Sequence, residues 1–451
     1  MKIVLISTYE LGHQPFGLAS PRAWLARAGH EVACVDLAVE TFPEDLVRQA
    51  ELIGFYLPMH TATRMALPVI ERVKQLNPGA RLACYGLYAP INSELLRELG
   101  VDAIAGGEFE SSLVKLAEGD AAAPGISEIS LARQVFLKPE REGLPELSRY
   151  AKLRQNGDFK LVAYTEASRG CKHVCRHCPV TPVYNGTFRV VRRNTVLEDI
   201  RQQVAAGARH VTFGDPDFFN GPTHAIAIVE ALHAEFPEIS YDATIKIEHL
   251  RQHRKLLTTL KETGCLFVTS AVESLDDAVL QKLDKNHTRR DFEETVQEMR
   301  AIGLALQPTF IAFTPWTTME SYRALLRSLA ELDLVDQVAP VQLALRLLIT
   351  HRSRLLELED IRNVTGPFDS KALTYPWKHP DLRMDALAAR VFRLVSEMQT
   401  QKSSRSEIFS AVWDAADAGP LPRLVSGPPA AYPGAVYIDE PWYCCAEPLP
   451  V

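Results

Sequence analysis

Short, fully apolar runs alternate along this chain with longer stretches whose apolar positions recur at helical spacing. In the first quarter the runs are IVLIST (3–8), EVACVDL (31–37), ELIGFYL (51–57), RLACYGL (81–87) and VDAIAGG (101–107). Between them lie the helical patterns SPRAWLARAG (20–29), TRMALPVIERVKQLN (63–77) and NSELLRELG (92–100). Strands buried on both faces read as unbroken apolar runs, so this alternation predicts a parallel, doubly wound α/β domain over 1–118. Ligands of such sheets sit at the carboxyl ends of the strands, here the loops around Tyr9–Phe16, Pro58–Thr61 and Gly86–Pro90. Neither a GxGxxG nor a Walker-type loop occurs there, which argues against dinucleotide and NTP binding.

Residues 119–158 mix Ala, Pro, Gly and charge without a period and read as a linker. The alternation then resumes over 159–351. Strands are expected at LVAYTEAS (161–168), HVTFGD (210–215), ISYDATIK (239–246), LFVTSAVES (266–274), LQPTFIAF (306–313) and VQLALRLLI (341–349). Helices are expected over 195–208, capped by Asn194 or Thr195, and over EHLRQHRKLLTTLKETG (248–264). Six β/α units make a partial barrel, too few for a closed eight-fold one. Residues 352–418 read as helical. The tail, 419–451, holds eight of the 29 prolines, so regular helix is excluded, yet it keeps Tyr432, Tyr437, Trp442 and Tyr443. An extended tail that packs along the protein is expected, because disordered segments are poor in aromatics.

Composition narrows the function. Of 451 residues, 47% are hydrophobic and 23% charged, the balance of a globular protein. The net charge of −7 gives no electrostatic case for nucleic-acid or membrane partners. No apolar run reaches the ~18 residues of a membrane helix, and the N-terminal apolar stretch is too short for a signal peptide; the expected location is cytoplasmic. Eight cysteines then point to metal or redox chemistry rather than disulfides. Cys34, Cys84 and Cys265 sit in apolar strands and read as small hydrophobes.

Cys171-Lys-His-Val-Cys175-Arg-His-Cys178 puts three thiols on one tight loop after a strand, with Gly170 ahead of it. Three cysteines can ligate three irons of a 4Fe–4S cluster and leave the fourth open to a small molecule. The alternative is a structural zinc site of three Cys and one His, with His173 or His177 as the fourth ligand. Cys444 and Cys445 are adjacent in the tail. Their Cα atoms are ~3.8 Å apart, shorter than the ~4.4–6.8 Å of ordinary disulfides, so as thiols they suit a soft metal or a trivalent metalloid.

The CxxxCxxC loop resembles that of the radical SAM superfamily. EASRGCKHVCRHC, HVTFGDPDFFN, SAVESLDDAVLQKLDKNHT and AIAGGEFES are together similar to its branch with an N-terminal cobalamin-binding-like domain. The resemblance implies a 4Fe–4S cluster on Cys171, Cys175 and Cys178, with S-adenosyl-L-methionine (SAM) cleaved reductively on the open iron. It also implies an electron donor such as flavodoxin or ferredoxin. Asp215, Glu273 and Ser274 are then candidates to hold SAM. His177 stands where an aromatic residue usually contacts the adenine. The DxHxxG of domains that supply a lower ligand is absent around His13, His30 and His60, which says little because relatives bind cobalamin without it; cobalamin is not favoured, since a fold can be retained without its cofactor. Tyr-Cys-Cys-Ala-Glu-Pro resembles the tail of the CUAEP/CCAEP radical SAM (seleno)proteins, a group similar to the radical SAM proteins of arsinothricin biosynthesis. The resemblance implies transfer of the 3-amino-3-carboxypropyl group of SAM to As(III) held by Cys444 and Cys445. Two alternatives stand: a cobalamin-dependent methyltransferase or rearrangement enzyme acting on an organic substrate, and a non-catalytic iron–sulfur or zinc protein.

Overall fold

Two parallel sheets form where the apolar runs predict them. The computed structural model describes residues 1–119, 128–155, 157–420 and 436–440. The N-terminal sheet contains β1 (Lys2–Ser7), β2 (Glu31–Asp36), β3 (Leu52–Tyr56), β4 (Arg81–Tyr85), β5 (Ala103–Gly107) and β6 (Ile129–Ser130). Its order is β2-β1-β3-β4-β5-β6, parallel throughout, the doubly wound arrangement. Helices Phe16–Arg27 and His60–Leu76 cover its faces with buried Leu18, Leu25, Ile70 and Val73.

The second sheet opens with β7 (Lys152–Gln155) and β8 (Asp158–Thr165), and a short ribbon of β9 (Ser168–Gly170) and β10 (Phe188–Val190) follows. The sheet continues with β11 (His210–Phe213), β12 (Ser240–Thr244), β13 (Cys265–Glu273) and β14 (Ala305–Phe310), and the tail adds β15 (Tyr437–Ile438). The order is β14-β13-β12-β11-β8-β7-β15. The five strands from β14 to β8 are parallel, and β7 and β15 are antiparallel additions. This is the half-barrel of the fold expected over 159–351, followed by helices Leu382–Thr400 and Arg405–Ala415.

Four local expectations change. The sixth run, 341–349, forms no ladder: residues Pro340–Leu343 make a 3₁₀ turn and Arg346 pairs with Phe313 by a single parallel bridge. Its apolar side chains still pack, since Val341 and Leu347 are buried, and periodicity alone cannot tell a core-lining turn from a strand. The helix expected from 195 starts at Arg193, with Arg192 at its N-cap and no side-chain cap from Asn194 or Thr195. The helical pattern at 248–264 is broken into Ile247–Gln252 and Leu257–Glu262. The linker is less bare than expected: it supplies β6 to one sheet and β7 to the other, covering strand edges that would otherwise lie open. Of the tail, residues 436–440 pack on the protein through β15 and the buried Val436, and most of the remainder lies outside the described residues. Among the described residues no helix is long and apolar enough to cross a membrane.

The linker also carries the tie between the domains. Arg141 donates from Nε and Nη2 to Asp199 at 2.7 and 2.9 Å, from Nη1 to Gln14 Oε1 at 2.7 Å, and to the Tyr164 carbonyl at 2.7 Å. Its side chain is 6% exposed and that of Asp199 1%. Truncating one partner of such a pair strands the other charge, so Arg141→Ala is expected to cost ~3–5 kcal/mol of unfolding free energy. Urea denaturation measures it; a loss below ~1 kcal/mol, the worth of an exposed pair, would count against a buried tie.

Candidate active site

The three-cysteine loop leaves the short strand β9. Gly170 sits at φ +77°, and a Cβ there would lie 2.4 Å from the Tyr184 ring and 2.5 Å from the Thr187 carbonyl oxygen. Only glycine fits, which sets how the chain turns into Cys171. Neighbours then fix the loop. Asn220 donates to the Gly170 carbonyl and accepts from the Lys172 N–H, both at 3.1 Å. Arg354 donates to the Val174 carbonyl at 2.6 Å, and the Arg176 N–H reaches the Leu283 carbonyl at 3.0 Å. Cys171, Cys175 and Cys178 are free thiols and line one cavity. Burial pushes the Cys171 thiol up to about 11. Such a thiol is a poor ligand until a metal displaces its proton. Three soft donors on one pinned loop, with Lys246 Nζ 3.8 Å from Cys175 Sγ, fit an anionic thiolate-bound cluster.

Beside the cysteines lies a buried charged group that links sequence-distant elements. Glu273 ends β13 at φ +72°, a left-handed conformation that costs ~1–3 kcal/mol in a non-glycine residue and is concentrated at functional sites. Its Oε1 is 3.0 Å from His177 Nε2 and 3.4 Å from Lys285 Nζ. Burial raises its carboxyl, but Lys285 and His177 outweigh burial and hold it at about 2. The imidazole of His177 is thus engaged with Glu273. Asp215 follows β11 and accepts from the Ser168 hydroxyl at 2.5 Å and the Ala167 N–H at 2.9 Å. Burial still pushes it up to about 7. Ser274 accepts from the Asp276 N–H at 3.1 Å, shaping a turn, and does not line the cavity.

The cavity is about 1340 Å³, above the ~300–1,000 Å³ of ordinary small-molecule pockets. Leu11, His13, Pro58, Met59, Leu87 and Tyr88 line one side, from the loops after β1, β3 and β4. Strand ends of the second sheet, with Asp215, Lys246, Glu273 and Lys285, line the other. His13 stacks on Tyr164 with ring centroids 4.7 Å apart, and burial lowers it to about 4. Tail residues Tyr437–Glu440 complete the wall; Glu440 accepts from the Tyr9 hydroxyl at 2.6 Å. Cys444 and Cys445 lie outside the described residues. Cys34, Cys84 and Cys265 are buried strand residues, as expected, and burial raises all three thiols.

The sequence offered no signal for Lys246 and Lys285. Lys246 ends an expected strand and Lys285 follows Lys282 by three residues, and only the assembled barrel shows them buried (6% and 3% exposed) at the cavity.

Residues 165–329 match the radical SAM superfamily and residues 2–117 the B12 binding domain. The chain joins a B12-binding domain to a radical SAM domain. It is 25% identical over 321 residues to the hopanoid C-3 methylase of Methylococcus capsulatus, covering 67% of this chain and 62% of that protein. It is 26% identical over 187 residues to the ribosomal protein uS12 methylthiotransferase RimO of Geobacter sulfurreducens, covering 40% of this chain and 42% of that protein. In both cases the match spans less than two thirds of the relative. The fold is shared with the cobalamin-dependent SAM radical enzyme OxsB, solved with aqua-cobalamin and SAM bound (TM-score 0.69, 13% identity, 92% of this chain and 71% of that one). It is also shared with the radical SAM methyltransferase TsrM of Kitasatospora setae, solved with cobalamin and a [4Fe-4S] cluster (TM-score 0.56, 15% identity, 74% and 70%). These matches reverse the preference against cobalamin. That preference rested on the possibility of a retained fold without its cofactor, whereas residues 2–117 match the B12 binding domain and the fold is shared with structures solved with cobalamin.

Glu273→Gln removes the carboxylate facing the buried Lys285 and is expected to cost ~3–5 kcal/mol. A carboxyl held at about 2 stabilises fully above its unfolded value near 4.5 and loses that contribution as pH falls toward 2. Urea midpoints of both proteins from pH 7 to pH 3 should therefore converge at the acid end; a constant difference would contradict the assignment.

Proposed function

We propose that this chain is a cobalamin-dependent radical SAM enzyme that transfers a methyl group to, or rearranges, a small organic substrate. One observation carries the reading: the ligand-binding edge of the B12-binding domain and the three cysteines line the same cavity. Cys171, Cys175 and Cys178 would hold the 4Fe–4S cluster, which supplies an open iron for SAM and the electron for its cleavage. Lys246 and Lys285 would offset the negative charge of cluster and SAM carboxylate. Glu273, held ionised, would accept from a cationic ammonium, while Asp215 fixes the backbone that leads into the loop. The loops after β1, β3 and β4 would seat the corrin, with His13 in the first of them.

A second reading keeps the metalloid. Glu440 lines the cavity, and the four residues to Cys444 span at most ~14 Å. Tail thiols within that reach would present As(III) to a 3-amino-3-carboxypropyl group. The two readings differ in which part of SAM appears in product.

Reduced, reconstituted protein incubated with SAM labelled as methyl-CD3 and, in parallel, with arsenite decides between them. The leading reading expects bound cobalamin in the visible spectrum and, independent of arsenite, either methyl-CD3 label in methylcobalamin or product (transfer) or 5′-deoxyadenosine with the label left in methionine (rearrangement). Arsenite-dependent 3-amino-3-carboxypropyl arsenic product, lost in Cys445→Ser, would establish the second instead. Protein that keeps its fold but binds neither iron nor cobalamin would refute both.

A further inference from the structure

A second cluster of ligating side chains lies beside the cysteine loop and uses none of the thiols. His173 belongs to the loop itself, Asp217 follows β11, and His249 lies in helix Ile247–Gln252 after β12. Asp217 and His249 are fully buried, and His173 reaches the cavity wall. The Nε2 atoms of His173 and His249 are 3.1 Å apart. On their far sides, His249 Nδ1 is 2.7 Å from Asp217 Oδ2 and His173 Nδ1 is 3.5 Å from Glu248 Oε2.

This row of four groups has three contacts. The His173–Glu248 contact, at 3.5 Å, is an ion-pair separation and not a short hydrogen bond. The buried pair His249 Nδ1 and Asp217 Oδ2 also lacks a hydrogen bond of acceptable geometry despite its short separation. Buried polar atoms left in that state call for an explanation, an ion among them.

With its proton on Nδ1, His173 faces the Glu248 carboxylate, the arrangement that orients a histidine on a metal, and leaves its Nε2 toward His249. Two nitrogens bound at ~2.05 Å to a tetrahedral ion are ~3.3 Å apart, close to the separation here. Asp217 Oδ2, 4.0 Å from His173 Nε2, adds a carboxylate oxygen. Two imidazoles and one carboxylate suit a borderline divalent cation of the first transition row. We propose that His173, His249 and Asp217 bind one such ion, separate from the cysteine cluster, with Glu248 holding the far nitrogen of His173. The ion pins the cysteine loop to the ends of β11 and β12 and enters from the cavity, where His173 is accessible.

Zinc is the probe. Full-length protein, anaerobically reconstituted with iron and sulfide, is equilibrated with Zn²⁺, desalted and analysed for both metals. One zinc per chain is expected beside the cluster iron. His173→Ala and His249→Ala should each lower retained zinc at least ~10-fold while keeping iron. Cys171→Ala/Cys175→Ala/Cys178→Ala should lose iron and keep zinc. Circular dichroism checks folding; if His249→Ala misfolds, His173→Ala decides, since its loop is held by Asn220 and Arg354 independently. Wild-type protein that retains no zinc, zinc that disappears with the cysteines, or zinc that survives loss of His173 would each overturn the site.

Discussion

The Arg169 guanidinium, two residues before Cys171, is enclosed by carboxylates from both domains. It pairs with Glu110 at 2.7 Å, Glu166 at 2.6 Å and Glu108 at 3.5 Å, and lies over the rings of Phe16, Phe109 and Phe136. Glu108 and Glu110 follow β5 of the N-terminal sheet, whereas Arg169 and Glu166 lead into the cysteine loop. One cation faces three buried carboxyls. Burial raises Glu108 to about 7 and raises Glu166, while Arg169 overcomes burial at Glu110 and brings it below its usual range. Among the described residues Arg169 is the cation paired with these acids, so this contact joins Arg141 in tying the two domains together. Ser20 and Gln134 complete the coordination of Glu110 at 2.6 and 2.8 Å.

That tie has a direct consequence. Parallel sheets bind ligands at the carboxyl ends of their strands. Clamped through Arg169, the two sheets turn those ends toward one shared space rather than toward solvent. The loops of the N-terminal domain and the three cysteines thus line one cavity, with the tail strand β15 walling one side. The preorganisation is visible in the loop, whose backbone is held by Asn220, Arg354 and Leu283 before any metal is considered.

How much of this was legible depended on how local the signal was. The CxxxCxxC loop and the buried parallel strands announce themselves, since cysteine spacing and unbroken apolar runs are properties of neighbouring residues. Lys246 and Lys285 did not, because a lysine in sequence reads as a solvated one and its burial is made by distant elements. Ser274 was drawn into the site by adjacency to Glu273, yet its hydroxyl serves the turn at Asp276. His177 occupies the expected place, but its ring meets Glu273, a partner 96 residues away. The run at 341–349 kept its burial and lost its strand, since apolarity reports contact with the core and not backbone geometry. The preference against cobalamin fell for a related reason: one missing ligand motif is a local signal, whereas residues 2–117 match the B12 binding domain as a whole.

The central claim is that cobalamin and the iron–sulfur cluster occupy one cavity. Electron paramagnetic resonance tests it most directly. Protein reconstituted with both cofactors is poised so that cob(II)alamin and the reduced cluster are paramagnetic together. The account predicts that each signal is broadened or split by the other and relaxes faster than in samples carrying one cofactor. A spectrum that is the unperturbed sum of the two, in protein shown to hold both, would contradict it.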